Sequence, residues 1–556
     1  MSQTPLQRYI KLLSLDKKDI FQVFFYALFA GIVSLSLPLG IQAIVNLIQA
    51  GQVSVSWIVL VIIVVIGVAL AGFLSIMQLR ITENLQQKLF VRSSFEFAYR
   101  LPKIKFDALY NTYPPELANR FFDTLSIQKG TSKLLIDFST AILQIFFGII
   151  LLSLYHPFFI IFGLLLVILL FIIFKFSYNS GLDTSLKESK YKYKVAGWLQ
   201  EIARNNFSFR KNDNFQFILG KNDMLVSEYL NMREKHFKII ERQHSQLIFF
   251  KILITAGLLI IGGLLVLGQQ MNIGQFVAAE IIILLVVNSV EKIITGLETL
   301  YDVLTSVEKI GQITDLDTEK FTINAQNICF NNIEIETESM SFKFPDSSHL
   351  VLDNINLKIK QSEKILIDGT NGSGKTTLIR ILSGLLQPTE GNFFINDDTF
   401  KKIDYNQYRS QIGTIIQGET PFEGTILENI TFNNPSISSE DLKWALDGVK
   451  LTSYIKSLPN GLDTKILTDG MQLSSSNAQK ILMARSIICK PKILFYEDPL
   501  DKMDEVAANE IIDFINNPIQ KWTVIVATKN DYWKQKCSRT ILMQGGKINN
   551  DNFLNQ

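Results

Sequence analysis

The sequence predicts a multi-domain membrane protein, with a six-helix all-α transmembrane domain followed by an α/β domain, and three observations carry that expectation. Six apolar runs long enough to cross a bilayer, which takes about 20 helical residues, fall within the first 300 positions. From about Asn327 the texture changes to short β-branched runs alternating with amphipathic helices, the pattern of an α/β domain. Inside that second part, IDGTNGSGKTT stands between an apolar strand and an amphipathic helix, the setting a phosphate-binding loop requires. The bulk composition agrees: 47% of residues are hydrophobic and only 19% charged, with a mean hydropathy of +0.21, unusual for a soluble enzyme.

The apolar runs span roughly Phe21 to Leu47, Trp57 to Leu79, Leu134 to Leu154, Phe158 to Tyr178, Leu247 to Leu267 and Phe276 to Leu297. The gaps after the first, third and fifth are short and lack Lys and Arg, whereas those after the second and fourth are long and rich in both. By the positive-inside rule the long gaps and both termini face the cytoplasm. Those long stretches, about Arg80 to Lys133 and Asn179 to Gln246, keep helical periodicity, so they are expected to continue the membrane helices inward as arms of roughly 35 Å. Each turns near its middle, at YNTYPPELANRF and at RNNFSFRKND, the expected points of contact with the soluble domain. The polar N-terminus has no apolar core with a cleavage site and is not expected to be a cleaved signal peptide. The expected organisation is an amphipathic elbow helix at 1–19, the membrane domain at 20–310, a linker at 311–327 and the α/β domain at 328–556.

Net charge is +2, without a basic stripe, so nucleic acid is not an expected partner. Cys329, Cys489 and Cys537 lack metal-ligand spacing and read as free thiols in a reducing compartment. Within the apolar runs, Glu280 either lines a path or stays hydrated near the outer interface, and Lys251 reads as an anchor reaching for the inner interface. His156, beside Pro157, reads as ordinary turn chemistry.

In the phosphate-loop motif, Gly369, Thr370, Asn371, Gly372, Ser373 and Gly374 form the loop and Lys375, Thr376 and Thr377 open the helix. Successive backbone N–H groups can surround phosphate oxygens, Lys375 supplies a cation to the β and γ phosphates, and the Thr376 hydroxyl can ligate Mg²⁺. The expected cofactors are ATP and Mg²⁺.

With these residues in place the chain resembles the ATP-binding cassette family, and its layout resembles a half-exporter. The resemblance implies that Gln417, in IIQGETPFEGTILENI, senses the γ-phosphate and joins the metal site, and that Phe344, in SFKFP, stacks on adenine. Within exporters the chain is most similar to the transporter of type 1 secretion systems, through its organisation and the LPLGIQAIVN stretch; that likeness implies a periplasmic adaptor and an outer-membrane channel as partners. Nothing precedes the membrane domain in this sequence, so a peptidase-type N-terminal domain is not expected.

The sequence also departs from the family at three places. The signature LSGGQ reads Leu473, Ser474, Ser475, Ser476 and Asn477: the serine that reaches the opposite molecule's γ-phosphate is kept as Ser474, but both glycines carry side chains. The Asp-Glu pair ending the family's Walker B strand is inverted to Glu497 and Asp498. Glu497 is expected on the metal side, one methylene long, and Asp498 at the place of the water-polarising base, one methylene short, unless a backbone adjustment or a water restores its reach. Where the family has a histidine after the next strand, TVIVATKND has Lys529. The expectation is a site that binds ATP and hydrolyses it slowly, in a chain that pairs with a second half-transporter, a heterodimer being favoured over a homodimer. The alternative is a nucleotide-gated membrane regulator with incidental turnover. The expected location is the inner membrane, multi-pass, with the nucleotide-binding domain and both termini cytoplasmic.

Overall fold

The computed structural model describes residues 3–51, 55–110, 113–211, 215–319, 332–345 and 347–553. Cys329 and part of the expected linker lie outside the described residues. The chain divides into two compact units, one of Met1–Pro102 with Thr112–Leu316, the other of Lys103–Asn111 with Asp317–Gln556. The division after Leu316 falls inside the expected 311–327 linker, because the last helix of the first unit runs to Thr314.

The first unit is all helical. Helix α1 (Pro5–Leu13) is opened by a capping box between Thr4 and Gln7 and buries Tyr9 while Leu6 and Ile10 stay exposed. Helix α2 (Lys17–Ser34) and helix α3 (Ser36–Gln49) form the first span, interrupted at Leu35 because the Pro38 ring opposes the carbonyl of Ser34 and offers it no N–H. Helix α4 (Val55–Arg100) carries the second span and continues about 30 Å past Leu79. After α5 (Phe106–Leu109), which belongs to the second unit, and α6 (Pro114–Asn119), helix α7 (Asp123–Tyr155) carries the third span and α8 (Phe158–Arg204) the fourth. Following α9 (Asn206–Lys211), helix α10 (Phe215–Gly257), a π turn at Leu258–Gly262 and α11 (Gly263–Leu267) make the fifth span, and α12 (Ile273–Thr314) makes the sixth. Among the described residues, six helical stretches are thus long and apolar enough to cross a membrane.

The unit is organised around α7 and α12. Side chains of α12 pack onto the α7 backbone where glycine leaves room: a Cβ on Gly130 would stand 2.3 Å from the Val303 Cγ2 and one on Gly148 2.6 Å from the Val286 Cγ2. Ile282, Val286 and Val290 of α12 share a buried cluster with Phe159, Phe162 and Leu166 of α8. The Lys251 ammonium pairs with Glu291 of α12. The carboxylate partner, forty residues away, offered no local pattern. Glu280 is half-buried, and the His156 Nδ1 accepts a hydrogen bond from the Phe158 N–H at 3.2 Å, closing the turn between α7 and α8.

The second unit is α/β. Among the described residues its strands are β1 (Ile335–Phe342), β2 (Leu352–Ile359), β3 (Lys364–Gly369), β4 (Glu390–Ile395), β5 (Asp398–Thr399), β6 (Ile412–Ile415), β7 (Gly424–Thr425), β8 (Lys465–Ile466), β9 (Ile493–Glu497), β10 (Thr523–Ala527), β11 (Arg539–Gln544) and β12 (Lys547–Phe553). Strands β12-β11-β3-β10-β9-β6 form one sheet in that order, parallel except for the β11–β12 hairpin. The central strands carry continuous apolar runs, ILFY in β9 and VIVA in β10, because both faces of the sheet are buried. A second sheet, β2-β1-β4-β5, is antiparallel, and β7 pairs with β8.

Lys103–Asn111 belongs to this unit although it lies in sequence between two membrane-unit helices. The Lys105 N–H donates to Asp317 O at 3.0 Å and the Glu319 N–H to Lys103 O at 2.8 Å, which lays the segment antiparallel to the start of the domain. Phe106 packs against the core formed by the two sheets.

Candidate functional site

Strand β3 ends at Gly369 and helix α13 (Lys375–Leu382) starts six residues on, with the glycine loop between them. Gly372 and Gly374 lie at φ +79° and +99°, the left-handed region that glycine enters without a steric penalty. A Cβ on Gly369 would come within 2.3 Å of Met543 O, so the loop is also packed too closely for a side chain there. Lys375 folds back over the loop, its ammonium donating to Gly369 O at 2.7 Å and Thr370 O at 2.9 Å. Burial pushes its pKa down, and Lys529 adds repulsion while Asp368 and Asp498 pull the other way. Thr370, Asn371 and Gly372 are exposed at the rim, Thr376 is half-buried at the helix start, and Ser373 and Thr377 are buried below.

The carboxylate end is assembled from separate segments. Glu497, the last residue of β9, is 4% exposed. Its Oε2 accepts the Gln417 N–H at 3.0 Å, and its Oε1 lies 3.6 Å from Arg380 Nε, too long for a hydrogen bond. Both of those atoms are buried without a hydrogen-bond partner. Burial raises the Glu497 pKa, against the opposing pull of the Gln417 N–H and Arg380. Asp498 lies just beyond the strand, exposed, at φ +40°. Its N–H donates to Ala527 O at 2.9 Å, so a left-handed residue rather than strand alternation separates the environments of the two acids. Gln417 is exposed. Lys529, also exposed, lines one concavity with Asp368, Gly369, Thr370 and Lys534.

Ser474 is the N-cap of helix Ser475–Ile487, its hydroxyl oxygen accepting the Asn477 N–H at 3.2 Å, which leaves its own proton to donate. Ser475 and Ser476, at the family's glycine positions, already belong to that helix. Their backbone therefore needs no glycine, and what the substitutions change is the space in front of it.

Four residues next to the site were given no part in it by the sequence. Asp368 accepts the Gly369 N–H at 2.7 Å, occupying one loop amide. Arg380, on α13, faces Glu497 and also lies over the Phe106 ring, 5.5 Å from its centroid. Tyr110 stacks on Phe344. Asp368 and Arg380 had local signals, their places inside the motif and on the helix that it opens, and Tyr110 begins the first of the turns expected to meet the soluble domain.

Residues 352–501 match the family model described as ABC transporter. This part of the chain is an ABC transporter domain. The ABC transporter domain and the membrane unit together are similar in fold to a bacterial Atm1-family ABC exporter solved with ATP bound, at a TM-score of 0.79 and 17% identity, over 97% of this chain and 95% of that one. Among curated proteins the chain resembles the alpha-hemolysin translocation ATP-binding protein HlyB of Escherichia coli, 29% identical over 283 residues, 50% of this chain and 39% of that protein. It also resembles the leukotoxin export ATP-binding protein LtxB of Aggregatibacter actinomycetemcomitans, 27% identical over 278 residues, again 50% and 39%. The chain thus matches about two fifths of the length of these relatives.

Proposed function

We propose that this chain is one half of an ATP-driven exporter, coupling ATP binding and slow hydrolysis to alternating access in the inner membrane. The observation that carries the reading is a complete phosphate loop, with Lys375 held over it, in one chain with six membrane-length helices. The loop fits a triphosphate: its glycines leave room for phosphate at a helix N-terminus, and Lys375 can exchange carbonyl partners for phosphate oxygens. The carboxylate end fits a divalent cation, since Glu497 Oε1 is buried without a hydrogen-bond partner. Mg²⁺ would be held by Thr376, Gln417 and Glu497 together with the phosphates, and would neutralise charge developing on the γ-phosphate. Asp498 orients water, Lys529 offers a cation to the γ-phosphate, and Ser474 donates to the nucleotide of a second half-transporter. Each site needs two cassettes, so the chain works as a dimer, with a heterodimer favoured because its own chemical groups are altered. The nucleotide-binding domain and both termini face the cytoplasm. Likeness to HlyB and LtxB supports a type 1 secretion-like role with a periplasmic adaptor and an outer-membrane channel.

ATP drives the switch only to the extent that it binds the closed dimer more tightly than the open one. The second reading, a nucleotide-gated regulator with little turnover, is favoured by the exposed, one-methylene-short Asp498. ATP turnover of the purified chain in lipid nanodiscs, beside Lys375→Ala and Asp498→Asn, separates the two. Slow turnover lost in both variants is the expected result. Tight binding with no turnover supports the regulator, and fast turnover lost in both variants overturns the account of an impaired site.

A further inference from the structure

The nucleotide reading leaves one contact without a role, the aromatic pair Tyr110 and Phe344. Phe344 lies just past β1, and the β1–β2 hairpin brings it to the phosphate loop. The Val351 N–H donates to Phe342 O at 2.8 Å, and the Leu352 side chain stands 2.7 Å from where a Cβ on Gly374 would be. One face of Phe344 is covered by the Tyr110 ring, with centroids 4.5 Å apart and planes 15° from parallel. Phe342 meets Phe344 edge-on at 5.0 Å and 86°. A base stacking on the face that Tyr110 covers would need the volume the phenol ring fills, since both sit at ordinary aromatic contact distance. Tyr110 is 50% exposed, so its ring can swing away without opening the core.

The same short segment reaches the other end of the site. Phe106, four residues before Tyr110, lies under Arg380, and Arg380 Nε lies 3.6 Å from the buried Glu497. One stretch of chain therefore touches the aromatic at the base end and the cation beside the carboxylate at the metal end.

We propose that Tyr110 is a specificity-determining residue of the nucleotide site: its ring holds the adenine-stacking face of Phe344 until a purine displaces it. The proposal rests on the nucleotide reading above. Base binding then exchanges one stack for another, so the base adds less affinity than an open aromatic would give, while the phosphates are unaffected.

The test measures binding of Mg–ATP and of Mg–tripolyphosphate, which has no base, to the full chain in nanodiscs. Tyr110→Ala is expected to tighten ATP binding roughly 2- to 10-fold, the range of one aromatic pair, and to leave tripolyphosphate unchanged. In a Phe344→Ala background the same substitution is expected to do nothing, and Tyr110→Phe, which keeps the ring, to bind as the parent does. Unchanged ATP affinity in Tyr110→Ala overturns the proposal, and weaker affinity overturns it by making Tyr110 a second wall of the base site. Equal shifts for both ligands also overturn it, as a general effect on the fold. Failure of the parent chain to bind either ligand, with Lys375→Ala indistinguishable from it, removes the nucleotide reading and this proposal with it, a result recognisable without any Tyr110 variant.

Discussion

At the phosphate end of the candidate site the decisive contacts are local: Lys375 closes onto carbonyls six and five residues behind it, and the conformation is set by glycines within the same loop. At the carboxylate end they are not. Glu497 meets the Gln417 backbone eighty residues away and the Arg380 guanidinium from α13, while Lys529 arrives from beyond β10. The local end keeps the full family pattern and the assembled end departs from it. Under the proposed function, binding and chemistry rest on physically separate parts of one site, so that one can change while the other persists.

The widest predicted separation comes from Lys375→Ala, which removes the charged donor to phosphate and is expected to weaken Mg–ATP binding by roughly 10- to 150-fold, while Asp498→Asn binds as the parent does. Calorimetry in nanodiscs checks this, and comparable losses in both variants would erase the distinction between the two ends. Next, restoring the family order with Glu497→Asp and Asp498→Glu together is expected to raise turnover by up to about 10²-fold, the cost of a misplacement of about 1 Å. No gain would mean that the left-handed backbone at Asp498 already restores its reach.

Smaller effects concern stability. Gly374→Ala forces a side chain into φ +99° and towards Leu352, which is expected to destabilise the ABC transporter domain by about 1–3 kcal/mol in denaturant melts. Glu497→Gln probes the assembled end. Burial lifts the Glu497 pKa above the ordinary 4.5, so the native state is penalised for ionising it. Stability is full below that ordinary value and is lost as pH rises through the folded pKa. The variant is therefore expected to melt higher than the parent near neutral pH, with the gain vanishing in acid. A gain that persists below the ordinary carboxyl range would mean that charge burial is not its cause.

Short-range pattern accounts for the parts that were legible in the sequence. Six apolar runs specify membrane-length helices because each must satisfy its own backbone in lipid, and their periodic continuation past Leu79 and Tyr178 foretells helices as long as α4 and α8. The phosphate loop was legible because glycine, lysine and threonine at fixed spacing are a local geometric requirement. Tertiary structure alone decided that Lys103–Asn111 folds with the second unit, that Lys251 pairs with Glu291, that Ser475 and Ser476 sit in a helix, and that Tyr110 covers Phe344. Apart from the serines, whose helix start depends on how the chain arrives at Ser474, these are meetings between residues far apart in the chain. Periodicity reports which face of an element is apolar, whereas the partner of a given side chain is set by how elements pack.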